Sequence, residues 1–513
     1  MPRADSSTPS LIHSPPAVEM RQIFKQFPGV IANQQVDFAV QAGEIHALLG
    51  ENGAGKTTLM NILCGLYGPD AGEIYLRGER VRFGRPAEAI ASGINMVHQH
   101  FMLVDRFTVA ENIVLGQTRG LLRENPRQLH QRLRTLAERY DLELDPTALV
   151  SRLSVGQQQR VEILKALYRQ AKVLILDEPT AVLTPQEARG LMMILKQLAA
   201  QGTAIVFISH KLNEVLALCD RVTVLRNGQS VGTRTVVGAT AHQLAEEMVG
   251  RSVDLQRPER TTLDNNVLPQ LKLENVTVAG TYARPALQGV SLSVRPGEIL
   301  GIAGVDGNGQ RELEEAIVGL RRLKAGQIQG DGTLAHIPSE RYGMGLVRSF
   351  TIAENLLLRD IGQPPFTRRG WIRPQAIAHH AKDLVQRYLI RTPSVSTRCG
   401  SLSGGNAQKV VVARELARQP QIILAAQPTR GLDIGAMEYV HAQLMAQRDR
   451  GVAILLISTE LDELLRLSDR IAVLYEGQIV GYRNATGEPS ALKQELGLLM
   501  AGKSLAALSE EAA

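Results

Sequence analysis

Apolar positions along the chain gather in short aliphatic runs separated by glycine turns and by longer stretches with helical spacing. EIHALL at 44–49, VLIL at 173–176, AIVFIS at 204–209 and RVTVL at 221–225 read as strands, because short, largely apolar runs between turn residues suit strands covered on both faces. Strands alternating with helical stretches predict an α/β fold, a mostly parallel sheet covered by helices. The stretches 101–164 and 350–416 break the alternation and read as helix-rich. No apolar run, VAILLI at 452–457 included, approaches the roughly 18 residues of a bilayer-spanning helix.

The whole pattern occurs twice. QAGEIHALLGENGAG ends at Gly55 and RPGEILGIAGVDGNG at Gly309, 254 residues later. LSVGQQQRV from Leu153 matches LSGGNAQKV from Leu402, EPTAVLT from Glu178 matches QPTRGLD from Gln427, and CDRVTVLRNGQSVG from Cys219 matches SDRIAVLYEGQIVG from Ser468, each 249 residues apart. Such a period far exceeds the roughly 20–50 residues of solenoid repeats, so each copy is a whole domain. The polar, turn-rich stretch 250–270 separates them. The chain therefore divides into a flexible arm at 1–16, a first domain at 17–252, a linker at 253–270, a second domain at 271–500 and a tail at 501–513.

Composition narrows the class. With 44% hydrophobic and 21% charged residues among 513, the chain is an ordinary globular one. Its N-terminus has no apolar core of a secretory signal. Cys64, Cys219 and Cys399 lie far apart without a CxxC, which argues against a disulfide framework or a thiolate zinc site and fits a reducing cytoplasm. The net charge is +6, and 119–139 holds six arginines against Glu124 and Glu138. Without interleaved aromatics these read as a solvated helix face and imply no nucleic acid partner; near a membrane the same excess suits anionic headgroups.

The candidate chemistry lies at Gly50-Glu51-Asn52-Gly53-Ala54-Gly55-Lys56-Thr57-Thr58, which fits G-x-x-x-x-G-K-[ST] after a strand and before a helix. Glycines let backbone N–H groups face phosphate oxygens, the helix N-terminus adds positive charge, Lys56 reaches the outer phosphates and the Thr57 hydroxyl can ligate Mg²⁺. Asp177 and Glu178 end the VLIL strand, where open α/β sheets place ligands. Asp177 suits the metal, and Glu178 suits polarisation of the water that attacks the γ-phosphate of ATP.

LSVGQQQR ahead of VLILDEPT resembles the signature and Walker B segments of the ATP-binding cassette (ABC) ATPases, and the resemblance runs from about 18 to 497, twice. It implies tandem P-loop ABC domains, each with a RecA-like core, a helical signature subdomain and an antiparallel β part. It also implies that Phe27 stacks on adenine, that Gln99 is the Q-loop residue near the metal and the permease, and that His210 is the switch histidine at the γ-phosphate. Paired face to face, the first phosphate loop with Lys56, Thr57, Asp177, Glu178 and His210 would be completed by Ser403, Gly404, Gly405 and Asn406.

The second copy keeps Gly304-Val-Asp-Gly-Asn-Gly309 but follows it with Gln310 and Arg311, and it carries Ala426, Gln427 and Thr459 for Asp177, Glu178 and His210. Ser339 aligns with Gln99 at an offset of 240. This copy would meet Leu153-Ser154-Val155-Gly156, where Val155 adds a side chain, so the losses converge on one composite site. The resemblance implies one active ATP site per chain in an intramolecular pseudo-dimer. Repair and chromosome ATPases carry coiled-coil insertions or zinc cysteines absent here, and ribosome-associated tandem ATPases keep both sites and a long charged linker. FPGV at Phe27 looks like the sugar and nucleoside importers alike, and AAQPTRGLDIGA at Ala425 looks more like the nucleoside importers, with simple-sugar importers as the alternative. Such a subunit would bind two membrane permeases, act indirectly with an extracytoplasmic solute-binding protein, and lie on the cytoplasmic face of the inner membrane.

Overall fold

The structure is a computed structural model describing residues 15–28, 30–98, 102–116, 125–140, 142–180, 183, 185–209, 211–252, 267–280, 285–305, 307–486, 488–500 and 502. The chain falls into two compact units, Met1–Val253 and Asp254–Ala513. Most of the expected arm, linker and tail lies outside the described residues.

In the first unit a six-stranded sheet runs in the order Gln229–Thr235, Arg221–Arg226, Ile45–Leu49, Ala204–Ile208, Val173–Asp177, Ile94–Val97. Every neighbouring pair is parallel except the two strands at the 229–235 edge. The central strands Ile45–Leu49 and Ala204–Ile208 are buried throughout, so AIVFI is an unbroken apolar run and IHALL is interrupted only by His46, whose ring nitrogens bond Glu44 at 2.8 Å and Thr223 at 2.7 Å. Parallel pairing aligns the strand ends: Leu48 and Asp177 both lie beside Ile208, and Val97 lies beside Leu176. The loops leaving these strands therefore meet at one edge of the sheet.

A four-stranded antiparallel sheet, Val30–Val40, Val18–Phe27, Ala71–Leu76, Glu79–Val81 in spatial order, forms a second layer. Val18, Met20 and Ile23 from it share a core with Leu59 and Leu63 of the phosphate-loop helix and with Ile175 and Val206 of the main sheet. The helix-rich stretch holds Val109–Val114, Pro126–Arg139 and Val155–Tyr168. Pro126–Arg139 buries Leu129, Leu133 and Ala137, spaced four apart, and leaves Arg127, Arg132, Arg134 and Arg139 exposed, as a solvated basic face requires.

The second unit repeats the plan. Its six-stranded sheet runs Leu334–Ile337, Ile422–Ala426, Ala453–Ser458, Ile299–Ala303, Arg470–Tyr475, Gln478–Asn484, and Leu287–Val294, Leu271–Val278 and Leu323–Gly330 form its antiparallel sheet. Ile337 lies beside Ala425, as Val97 lies beside Leu176, so the strands Leu334–Ile337 and Ile94–Val97 correspond at an offset of 240. One element departs from the helix-rich reading of 350–416: a two-stranded hairpin, Thr367–Arg368 with Trp371–Ile372. Arg369 and Gly370 at its tip both have positive φ, 51° and 81°, the geometry of a tight two-residue turn. All three cysteines are buried and free.

Phe207, in the centre of the first sheet, is fully buried. Phe207→Ala is expected to destabilise the protein by about 3–5 kcal/mol through lost burial and a residual cavity, read as a lower urea midpoint.

Candidate functional site: two unequal phosphate loops

The first loop leaves the strand Ile45–Leu49 and enters the helix Lys56–Leu63 through Gly55, whose φ of 101° puts it in the left-handed region. A Cβ at Gly55 would collide with the Ala32 carbonyl oxygen, and one at Gly50 with the Leu225 carbonyl oxygen. These two positions accept only glycine. No side chain caps the helix, so its first-turn N–H groups and positive dipole end are available to an anion. The Lys56 side chain, only 8% exposed, donates from Nζ to the carbonyls of Gly50 at 2.7 Å and Glu51 at 3.0 Å. Thr57 is exposed and Thr58 half-buried. Phe27, at the end of its strand, is 38% exposed and meets Tyr67 edge-on at 5.6 Å. It is a surface aromatic rather than a core one.

Asp177 ends the strand Val173–Asp177, and Glu178 follows in the left-handed region with φ 48°, its N–H donating to the Ile208 carbonyl at 2.9 Å. Residues held there store strain, which is common at functional sites. Burial, and after it the neighbouring Glu178 charge, push the Asp177 carboxyl up to about 6, while Lys56 pulls the other way. The two acids and the lysine thus lie within electrostatic reach of one another. Gln99 and His210 fall outside the described residues; the strands that lead to them, Ile94–Val97 and Ala204–Ile208, end two residues earlier in each case.

The second loop keeps the shape without the charge. Gly309 caps the helix Gln310–Ile317 with φ 104°, and Gln310, also buried, donates from Nε2 to the Gly304 carbonyl at 3.1 Å. Gln427 takes φ 46° and its N–H donates to the Ile457 carbonyl at 2.7 Å, repeating the Glu178 backbone. Its Oε1 accepts from Thr459 N–H and hydroxyl at 3.4 and 3.3 Å. The residues standing for Glu178 and His210 therefore bind each other.

Both signature segments start helices. Ser154 caps Val155–Tyr168 in a reciprocal capping box with Gln157. Ser403 caps Gly404–Leu416 by accepting from Asn406 N–H, and Asn406 Nδ2 donates to Ser403 Oγ at 3.0 Å. A Cβ at Gly405 would press on Ala436 at 2.9 Å, so glycine there permits close helix packing.

Sequence reasoning missed several residues around these sites. Arg341 donates from Nε to Gln408 Oε1 at 2.8 Å and from Nη2 to the Arg430 carbonyl at 3.1 Å, while Gln408 Nε2 donates to the Pro428 carbonyl at 2.8 Å. Together they bind the second signature helix to the loop after Gln427. Glu314, buried on the second phosphate-loop helix, bonds His336 Nε2 at 2.8 Å and accepts from the Ser339 hydroxyl at 2.7 Å and N–H at 3.2 Å. The usable signal was a paired exchange: at Glu314 and His336 the first copy has Met60 and Met96.

The sequence profile described as ABC transporter matches residues 33–181 and 287–430. The guanosine import ATP-binding protein NupO of Bacillus subtilis is 47% identical, covering 94% of this chain and 97% of the relative. The chain belongs to the ABC transporter family. The nucleoside import ATP-binding protein NupA of Lactococcus lactis is 45% identical over 94% of this chain and 98% of the relative, and the glucose import ATP-binding protein TsgD13 of Haloferax volcanii is 43% identical over 95% and 96%. Among solved structures, the archaeal ribosome recycling factor aABCE1 in complex with stalk protein aP1 matches with TM-score 0.62 at 18% identity, covering 90% of each chain; this is a likeness of fold alone. As an ABC ATPase the chain binds ATP. No helix among the described residues is long and apolar enough to cross a membrane.

The first site also fits a divalent cation. Asp177 and Glu178 are adjacent half-buried carboxylates; burial first and the Glu178 charge second raise Asp177, and Lys56 offsets them only in part. No group of three or more metal-binding side chains occurs among the described residues, and magnesium held by a carboxylate, a hydroxyl and substrate phosphates needs none. The second site, with Ala426 and Gln310, has no such charge.

The raised Asp177 carries a stability cost with a definite sign. Its folded value of about 6 lies above the ordinary 3.8, so the ionised form is disfavoured by folding and stability falls as pH rises through that interval. Without nucleotide or cation, Asp177→Asn is expected to remove this fall and to melt higher than the parent at pH 7, as thermal unfolding across pH 4–7 would read.

Proposed function

We propose that the chain is the ATP-hydrolysing subunit of a nucleoside importer, with one hydrolytic site per chain at the first phosphate loop. The observation that carries this reading is the contrast between two loops of the same shape, one holding Lys56, Asp177 and Glu178 and the other Gln310, Ala426 and Gln427.

In the proposed mechanism the loop 50–55 and the first turn of Lys56–Leu63 bind the ATP phosphates through backbone N–H groups, with Lys56 placed at the outer phosphates and Phe27 at the adenine. Thr57 and Asp177, with Gln99, would hold Mg²⁺, which when bound neutralises phosphate charge. Glu178 orients and polarises the attacking water, and His210 contacts the γ-phosphate. The positive start of the helix at Ser403, with Gly404, Gly405 and Asn406, completes the site when the copies close, a pairing implied by the family resemblance. Preorganised donors at the transferring phosphate supply most of the rate.

The relatives named for guanosine and nucleoside import, at 47% and 45% identity, favour nucleosides as the solute. The glucose importer subunit at 43% supports simple sugars as a second reading. Either solute implies two permease subunits, a solute-binding protein outside the membrane and a peripheral position on its cytoplasmic face.

Lys56→Ala and Ser403→Arg are each expected to lower ATP turnover by about a hundredfold or more, with Gln310→Ala changing it little. Full turnover in Ser403→Arg would refute the cross-copy pairing. Reconstitution with its permeases should give ATP-dependent uptake of guanosine or uridine; uptake of ribose alone would decide for the sugar reading.

A further inference from the structure

The hairpin at 367–372 belongs to neither phosphate loop nor signature segment, and its composition is unusual. It presents Trp371, 81% exposed, beside Ile372, 54% exposed. Arg368, Arg369 and Arg373 around it are exposed as well. No acidic residue occurs from 361 to 382. The flanking acids are engaged elsewhere, Asp360 with Arg418 at 3.2 Å and Asp383 with Arg387 at 2.8 Å. Among the described residues none of the three arginines has a carboxylate partner.

This display is held in place rather than loose. Phe366 is buried with its ring 4.8 Å from that of His380 on the helix Pro374–Arg387. Phe366 N–H and Thr367 N–H donate to the Gln363 carbonyl, Arg373 N–H donates to the Phe366 carbonyl at 2.8 Å, and the Thr367 hydroxyl donates to the Ile361 carbonyl. Arg368 and Trp371 are directly opposed across the two strands, which puts them on one face.

A fixed tryptophan kept in water beside unpaired arginines marks an interaction surface. An amphipathic ring among cationic side chains matches the interface of an anionic bilayer, where indole sits at headgroup depth and guanidinium groups meet phosphates. We infer that the Trp371 hairpin is a contact site for anionic phospholipid, giving the second unit a direct hold on the membrane surface. The opposite charge pattern, acids around the ring, would suit a basic partner; three arginines select an anionic one. The first copy has the related sequence Arg119-Gly120-Leu121-Leu122-Arg123, which lies outside the described residues.

Trp371 is the sole tryptophan of the chain, so intrinsic fluorescence of the full-length protein reads this hairpin alone. Vesicles of phosphatidylglycerol and phosphatidylcholine should shift its emission to the blue, and brominated lipid should quench it. Phosphatidylcholine vesicles, inorganic phosphate or high salt should leave it unshifted. Each arginine near an anionic surface is worth about a factor of five, so the triple variant Arg368→Gln, Arg369→Gln, Arg373→Gln should partition about a hundredfold more weakly while its basal ATP turnover stays unchanged. The inference is overturned by an unshifted emission with anionic vesicles, by equal shifts with neutral ones, by unaltered partitioning of the triple variant, or by a shift that only a membrane protein elicits. None of these readouts depends on which solute is imported or on which loop hydrolyses ATP.

Discussion

The turn between a buried strand and the helix that follows it must hold several N–H groups toward solvent while its own carbonyls face inward. In both copies a long polar side chain at the first helical position meets that constraint by donating back to the carbonyl six residues earlier, Lys56 to Gly50 and Gln310 to Gly304. An amide keeps that bond in a longer, uncharged form, 3.1 Å against 2.7 Å, and it carries no charge toward a phosphate. The shape of the loop and its chemistry are thereby separable. That separation lets one copy retain the architecture of a nucleotide site after losing the groups that would work on a nucleotide.

The same division runs through the surrounding residues. Where the first unit keeps two carboxylates close together and bears the cost in a raised Asp177, the second substitutes Ala426 and lets Gln427 bond Thr459. Where the first has Met60 and Met96 in its core region, the second has Glu314 joined to His336 and Ser339. Buried polar groups are tolerated when they find partners, and here the second unit's replacements largely partner one another. The backbone of Glu178 and Gln427 is nonetheless alike, both in the left-handed region and both bonded to the neighbouring strand. Sheet order and that strained turn are properties of the fold; charge belongs to the site.

Much of this was legible in the sequence because it depends on local pattern. Apolar runs such as VLIL and AIVFIS became buried parallel strands, and glycine spacing placed Gly50 and Gly55 at turns that no other residue fits. The role of Arg341 was not legible, and Glu314 and His336 left only a paired exchange against Met60 and Met96, whose meaning needs the fold. Each acts through a partner far away in the chain, as when Arg341 reaches Gln408 and Arg430, and no periodicity encodes such contacts. The hairpin at 367–372 escaped for a different reason: two-residue strands leave too short a pattern to outweigh the helical stretches around them. Phe27, which by itself would read as core, stands at a strand end with its ring exposed.

The two loops are alike in shape and unequal in charge, and we propose that hydrolysis is confined to the first. Vanadate trapping of a photoactivatable ATP analogue under turnover, followed by counting and mapping the trapped nucleotide, tests this most directly. The account predicts one trapped diphosphate per chain, cross-linked within residues 17–252. Two per chain, or a label within 271–500 at the second phosphate loop, would contradict it.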